Sequence, residues 1–145
     1  MADITITAAN VLKGTTNTVE NGTAGETITA GQVVYKKSTD SLFYLADCFA
    51  TSVAANDEIK EAYGIALNSA AANQTLQVQK TGDITIGGTV TAGTVYYLAS
   101  SDVGAAGGIA PLADLVSTDW YVLIGVATSA SVLHLLIYDV GVQES

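Results

Sequence analysis

Arginine is absent from this chain of 145 residues, and Cys, His, Pro and Trp occur once each. Five lysines stand against fourteen acidic residues, for a formal charge of −9. Nucleic-acid binding draws its affinity from Lys and Arg contacts to phosphate, and anionic membrane surfaces attract the same cations. Neither is expected as a partner. The cations Lys13, Lys36, Lys37, Lys60 and Lys80 all precede Thr81, after which come six acids and no cation but His134. A lone cysteine excludes an intramolecular disulfide framework, and nothing near Cys48 in sequence would lower its pKa, so it reads as a small core residue. Met1-Ala2-Asp3-Ile4 has neither a basic nor an apolar leader region, and no signal peptide is expected.

The same scarcity removes most catalytic inventories. Zinc sites built from several His or Cys cannot form within one chain. A Ser-His-Asp triad would have to use His134, and no Gly-x-Ser-x-Gly elbow is present. His134 lies in Val132-Leu133-His134-Leu135-Leu136-Ile137, where alternation places it with Val132, Leu136 and Tyr138 on a half-exposed strand face. Gly104-Ala105-Ala106-Gly107-Gly108 lacks the Lys-Ser/Thr of a phosphate loop and reads as a hairpin connection. Asn56, Asp57, Glu58 and Glu61 offer oxygens without EF-hand spacing. No catalytic residue, cofactor-binding residue or metal ligand is assigned, and the chain is not expected to be an enzyme. From Tyr121 to Tyr138 there is no Asp, Glu, Lys or Arg, but Thr128-Ser129-Ala130-Ser131 divides the run, which fits a buried β-hairpin better than a membrane span.

What is present is apolar and strand-like. Hydrophobic residues make up 49% of the chain and charged ones 13%, enough for one core with surface to spare for neighbours. Ile4 and Ile6 alternate with Thr5 and Thr7, Leu76 and Val78 with Gln77 and Gln79, Ile84 and Ile86 with Thr85. A pattern is also written twice. Thr29-Ala30-Gly31-Gln32-Val33-Val34-Tyr35 returns as Thr91-Ala92-Gly93-Thr94-Val95-Tyr96-Tyr97, Leu45-Ala46-Asp47 as Leu112-Ala113-Asp114, and Gly64-Ile65-Ala66 as Gly125-Val126-Ala127. The copies lie 62, 67 and 61 residues apart, so loops differ while strands correspond.

The expected architecture is all-β: two related barrel- or sandwich-like units packed face to face as one compact domain. Residues 1–28 form an extended N-terminal arm, 29–80 the first unit and 81–145 the second, with one short helix over Ser52–Ala62. Val33 and Tyr35 share one strand face, with Val95 and Tyr97 as counterparts, while Val34 and Tyr96 share the other. Both faces being apolar, Val34 and Tyr96 are the expected subunit-interface residues. Asp3, Ile4, Thr5, Ile6 and Thr7 are the segment expected to add a strand to a partner's sheet edge.

Across Ile28 to Ile137 the chain resembles the small capsid decoration, or cement, proteins of tailed bacteriophages. The resemblance rests on Ala30-Gly31-x-Val33-x-Tyr35, Tyr63-Gly64-Ile65-Ala66-Leu67-Asn68, Gly82-Asp83-Ile84-Thr85-Ile86-Gly87, Ala92-Gly93-Thr94-Val95-Tyr96-Tyr97-Leu98 and Ile124-Gly125-Val126-Ala127. It implies a structural virion protein, made in the host cytoplasm, that sits on the outer surface of an expanded capsid. There it would clamp adjacent major capsid subunits without any cofactor. It also implies a homo-oligomer, a trimer being favoured and a dimer a known arrangement, and an N-terminal arm that engages the shell, for which Asp3–Thr7 match in kind. The alternative is a carbohydrate- or receptor-binding β module of a phage fibre or adhesin, with specificity carried by the loop from Ser100 to Gly108.

Overall fold

Threonine, valine and tyrosine at alternating positions favour extended backbone, and the Gly-, Asn- and Ser-rich stretches between them break it into short runs. The computed structural model describes residues 3–49, 53–54, 56–102, 104–115 and 119–143. In it these runs become nine strands: β1 (Val11–Thr23), β2 (Val33–Lys36), β3 (Phe43–Leu45), β4 (Gly64–Ala66), β5 (Thr75–Ile86), β6 (Val95–Leu98), β7 (Ile109–Pro111), β8 (Trp120–Ala127) and β9 (Val132–Gln143). They form one curled antiparallel sheet, a half-barrel, in the order β3-β2-β4-β5-β9-β8-β6-β7, with β1 lying along β5. Read outward from the β5–β9 seam, the order is the same in both directions.

The correspondence extends to individual hydrogen bonds. Ahead of β2, Gln32 N–H donates to the Thr29 carbonyl, Gly31 N–H to Ala66 and Ala66 N–H to Gln32. Ahead of β6, Thr94 N–H donates to Thr91, Gly93 N–H to Ala127 and Ala127 N–H to Thr94. Gly31 and Gly93 both take the left-handed conformation this turn requires, with φ of 95° and 85°. Val33 then pairs with Ile65 and Val34 with Gly64, as Val95 pairs with Val126 and Tyr96 with Gly125. Strands β1 to β5 make up the first half and β5 to β9 the second, with β5 common to both.

Two apolar clusters fill the sheet. The smaller joins Ala24, Ile28, Val34, Phe43, Ala66, Ala70, Leu76 and Val78. The larger contains Val90, Tyr96, Ile109, Ala127 and Leu133, the register counterparts of Ile28, Val34, Phe43, Ala66 and Val78. It also takes in Val33, Tyr35 and Ile65, which lie on the opposite face of β2 and β4 from Val34 and Ala66. Strand β2 is therefore buried on both sides, as its two apolar faces imply, but by its own chain.

Several expectations change. The halves are not separate units: they are joined through β5 in one continuous sheet, whose curl brings the Val33–Ile65 face of the first against the second. Much of the stretch read as an arm is β1, paired with β5 from Val11↔Ile86 to Thr23↔Thr75. The expected helix over Ser52–Ala62 is represented by a 3-10 turn at Asp57–Lys60, opened by the Asn56 side chain accepting from Glu58 N–H; Ser52 and Ala55 lie outside the described residues. The Leu-Ala-Asp echo is not a structural equivalence. Leu45 ends β3 and has Pro111 as its register counterpart, whereas Leu112–Asp114 is a 3-10 turn. The run from Tyr121 to Tyr138 does form a hairpin, β8 and β9, with Thr128 N–H bonded to the Val132 carbonyl across its turn.

Candidate interaction site

Residues 3–7 carry no regular secondary structure, so contacts with the body decide where they lie. Residues 3–7 run along a groove of about 440 Å³ whose other walls are the turn 29–32 and the loop 104–108. Ile4 N–H donates to the Ile109 carbonyl at 2.9 Å and Thr7 N–H to the Gly87 carbonyl at 2.8 Å. Glycines make this approach possible: a Cβ on Gly88 would stand 2.4 Å from the Thr5 carbonyl oxygen, and one on Gly31 would stand 2.5 Å from Ile6. The Asp3 carboxylate accepts from Ala105 N–H at 3.0 Å. Burial raises the Asp3 carboxyl above its ordinary value, the bond from Ala105 opposing and the charge of Asp114 adding to the rise.

The segment does in the second half what chain continuity does in the first. There the end of β1 reaches β3 directly, through a parallel bridge between Ala24 and Phe43 and a bond from Gly25 N–H to the Phe43 carbonyl. In the second half the corresponding gap, from Gly87 to Ile109, is spanned by Ile4 and Thr7. The five residues expected to add a strand to a partner thus sit on an edge of their own chain.

Val34 and Tyr96, the expected subunit-interface pair, present no surface. Val34 is 0% and Tyr96 4% exposed, and the Tyr96 hydroxyl oxygen accepts from Thr91 N–H at 2.9 Å. Each points into the core of its own half, because the curl of the sheet turns that face inward. Among the described residues the exposed large apolar side chains are instead Leu12, Val95, Leu112, Leu136 and Tyr138. Alternation around Leu133 and Leu135 signals the outward direction of Leu136 and Tyr138. For Val95 no such signal exists, since its counterpart Val33 is identical in type and fully buried.

The loop from Ser100 to Gly108 is engaged at both ends, Val103 lying outside the described residues. Gly107 donates to the Ala46 carbonyl at 2.7 Å and accepts from Val33 N–H at 2.8 Å, while Gly104 N–H bonds to Ser100. Asp47 accepts from Ser101 N–H and the Ser101 hydroxyl, tying the chain after β3 to the chain after β6. The halves meet again at Lys60, which pairs with Asp139 and lies 5.1 Å from the Trp120 ring. Burial acts to lower the Lys60 pKa, but Asp139, with Asp57 and Glu61 nearby, holds it above its ordinary value.

On the first half a further charged cluster is carried by β1 and β2. Glu20 takes a hydrogen bond from the Tyr63 hydroxyl at 2.7 Å and pairs with Lys36 at 2.9 Å, and these contacts hold its carboxyl below the usual range. Cys48 is buried, its thiol donating to the Leu98 carbonyl, and burial pushes its pKa up. His134 is half exposed and 2.7 Å from Asp83. Among the described residues no group of three or more His, Cys, Asp or Glu is arranged to hold a metal, and no helix is long and apolar enough to cross a membrane. No known protein family, curated protein or solved structure matches the chain.

Proposed function

We propose that the chain is a structural virion protein that decorates the outer surface of a tailed-bacteriophage capsid and clamps adjacent major capsid subunits. The observation that carries this reading is the seat of residues 3–7. An extended segment with alternating Ile4 and Ile6 lies on a sheet edge, and its backbone bonds to the rest of the chain run through Ile4 and Thr7. Such a segment can exchange its own edge for one offered by a shell, because strand addition uses backbone groups that any sheet edge presents. The strand-and-turn resemblance to cement proteins points the same way. On this reading no cofactor takes part, and the protein reaches the virion surface from the host cytoplasm. It acts as a homo-oligomer, a trimer at three-fold positions or a dimer, so that weak contacts add.

The matched turns and registers also support a tandem duplication, in which a five-stranded unit was repeated with one strand shared. The alternative reading, a glycan- or receptor-binding module, loses support from the loop 104–108, whose backbone groups are engaged by Val33 and Ala46. The test is co-sedimentation of the full chain, and of a chain lacking residues 2–12, with DNA-free expanded heads from a panel of tailed phages. Binding that weakens strongly on truncation is expected. No binding to any head, together with a reproducible glycan-array signal, would transfer the assignment to the alternative.

A further inference from the structure

We infer that the seat of residues 3–7 is a peptide-binding groove for an extended segment of another protein. That segment carries a short hydrogen-bond acceptor at its first position and, at the second and fourth, apolar side chains larger than isoleucine. Residues 3–7 are the groove's built-in, displaceable occupant. Five glycines face these five residues. A Cβ on Gly104 or Gly108 would stand 2.3 or 2.5 Å from the Asp3 carboxylate, and one on Gly31 2.5 Å from the Ile6 side chain. Added Cβ atoms on Gly88 and Gly87 would stand 2.4 Å from the Thr5 and 2.6 Å from the Thr7 carbonyl oxygen. Walls this close hold the Ile109 and Gly87 carbonyls and the Ala105 N–H against whatever chain lies there. Such groups recognise an extended backbone and one acceptor side chain, so any segment that offers both can use them.

The second half depends on an added segment. In the first half chain continuity closes the gap, β1 running on to Ala24 and Gly25 beside Phe43, whereas in the second the bond to Ile109 comes from Ile4, remote in sequence. The present occupant fits imperfectly in two ways. Beside residues 3–6 about 440 Å³ stays open toward the turn 29–32 and the loop 104–108, and Ile4 and Ile6 are only partly buried. Larger apolar side chains at these two positions would fill that space and bury more apolar area. At the first position Ala105 N–H calls for an acceptor, but burial and the charge of Asp114 penalise a carboxylate there. An asparagine oxygen accepts the same bond without charge. An identical segment from a second copy would bring both misfits with it, so the groove's chemistry points to a different protein.

The groove rests on the strand exchange proposed above and names what replaces the departing segment. Peptides test it without a capsid, so its failure and a failure of the capsid assignment are told apart. Fluorescence anisotropy would follow a labelled peptide Asn-Leu-Thr-Phe-Thr added to the full chain, alongside the native-sequence peptide Asp-Ile-Thr-Ile-Thr. The first should bind about tenfold or more tightly than the second, the scale of added apolar groups in a matching pocket. Proline in place of its leucine removes the N–H that takes over the bond to Ile109 and should abolish binding. Hydrogen exchange at the Ile4 and Thr7 amides should quicken as the peptide displaces them. In the full chain Ile6→Asp weakens the built-in competitor and should tighten peptide binding by about tenfold, with circular dichroism to show that the variant is folded. Should it not fold, the two-peptide comparison on the wild-type chain decides alone. Equal affinity for the two peptides would overturn the inference, because the chain's own segment would then suit the groove as well as any other. Absence of peptide binding to both the wild type and a folded Ile6→Asp variant would overturn it too, as would binding that proline leaves unchanged.

Discussion

The turns at Gly31 and Gly93 are built from the same four-residue pattern and make the same hydrogen bonds, but they live in different surroundings. Gly31 is buried beneath Ile6, and an added Cβ there would meet that side chain; Gly93 is exposed, with nothing within 4 Å. Strands β2 and β6 repeat the contrast. Val33 is sealed between the halves while Val95 faces solvent. Local hydrogen bonding follows local sequence, since a turn needs only its own residues and the strand beside it. Burial follows from what is laid on top: the Val33–Ile65 face of the first half is covered by the second half, whereas the corresponding Val95–Val126 face of the second is left partly open.

The largest expected effect tests whether the halves are equivalent where backbone meets backbone. A Cβ on Gly64 would stand 2.5 Å from the Gln79 carbonyl oxygen, and one on Gly125 would stand 2.3 Å from that of His134. Gly64→Ala and Gly125→Ala should each destabilise the chain by about 3 kcal/mol, through forced separation of β4 from β5 and of β8 from β9. Urea denaturation would show this, and tolerance of one substitution but not the other would break the equivalence. Next comes the coupling between halves. Lys60→Met removes the ion pair between Lys60 and Asp139 and should lose about 2 kcal/mol, the scale of a hydrogen bond to a charged group. A single cooperative transition should persist, and its splitting into two would mean the halves are held together chiefly by this pair.

A smaller effect should fall on one half only. Removing residues 1–8 deletes the span between Gly87 and Ile109 and should destabilise by about 1–2 kcal/mol. Hydrogen exchange should quicken at the Ala99 amide more than at the Gly25 amide, and uniform quickening would deny the segment its special role in the second half. The smallest effect is a pH dependence. The Asp3 carboxyl is raised by burial, so its contribution to seating the segment is complete below the ordinary Asp value and is lost as pH rises through the higher folded value. Asp3→Asn should therefore raise the melting temperature slightly at neutral pH, and the difference should vanish in acid. A gain that is the same at both pH values would show that charge is not the cause.

Much of the architecture was legible because strands and turns announce themselves locally. The Thr-Ala-Gly turns, the hairpin through Thr128–Ser131, the buried Cys48 and the half-exposed His134 all follow from alternation, composition or glycine placement. The interface was misread at Val34 and Tyr96 for a definite reason. Two apolar faces on a strand say that both are covered, and they do not say by what. The Leu-Ala-Asp echo misled similarly, since three matching letters carry no register, and Asp47 owes its place to Ser101, which is 54 residues away.

Sequence alone determined that this is a β protein with a recurring Thr-Ala-Gly turn-and-strand pattern, because these properties depend on residue type and short-range spacing. Only the tertiary structure decided that β5 serves both halves, that Ile4 and Thr7 close the second, and that Val33 is hidden where Val95 is bare. Those outcomes depend on which distant surfaces meet as the sheet curls, and identical short patterns cannot distinguish the side that is covered from the side left open.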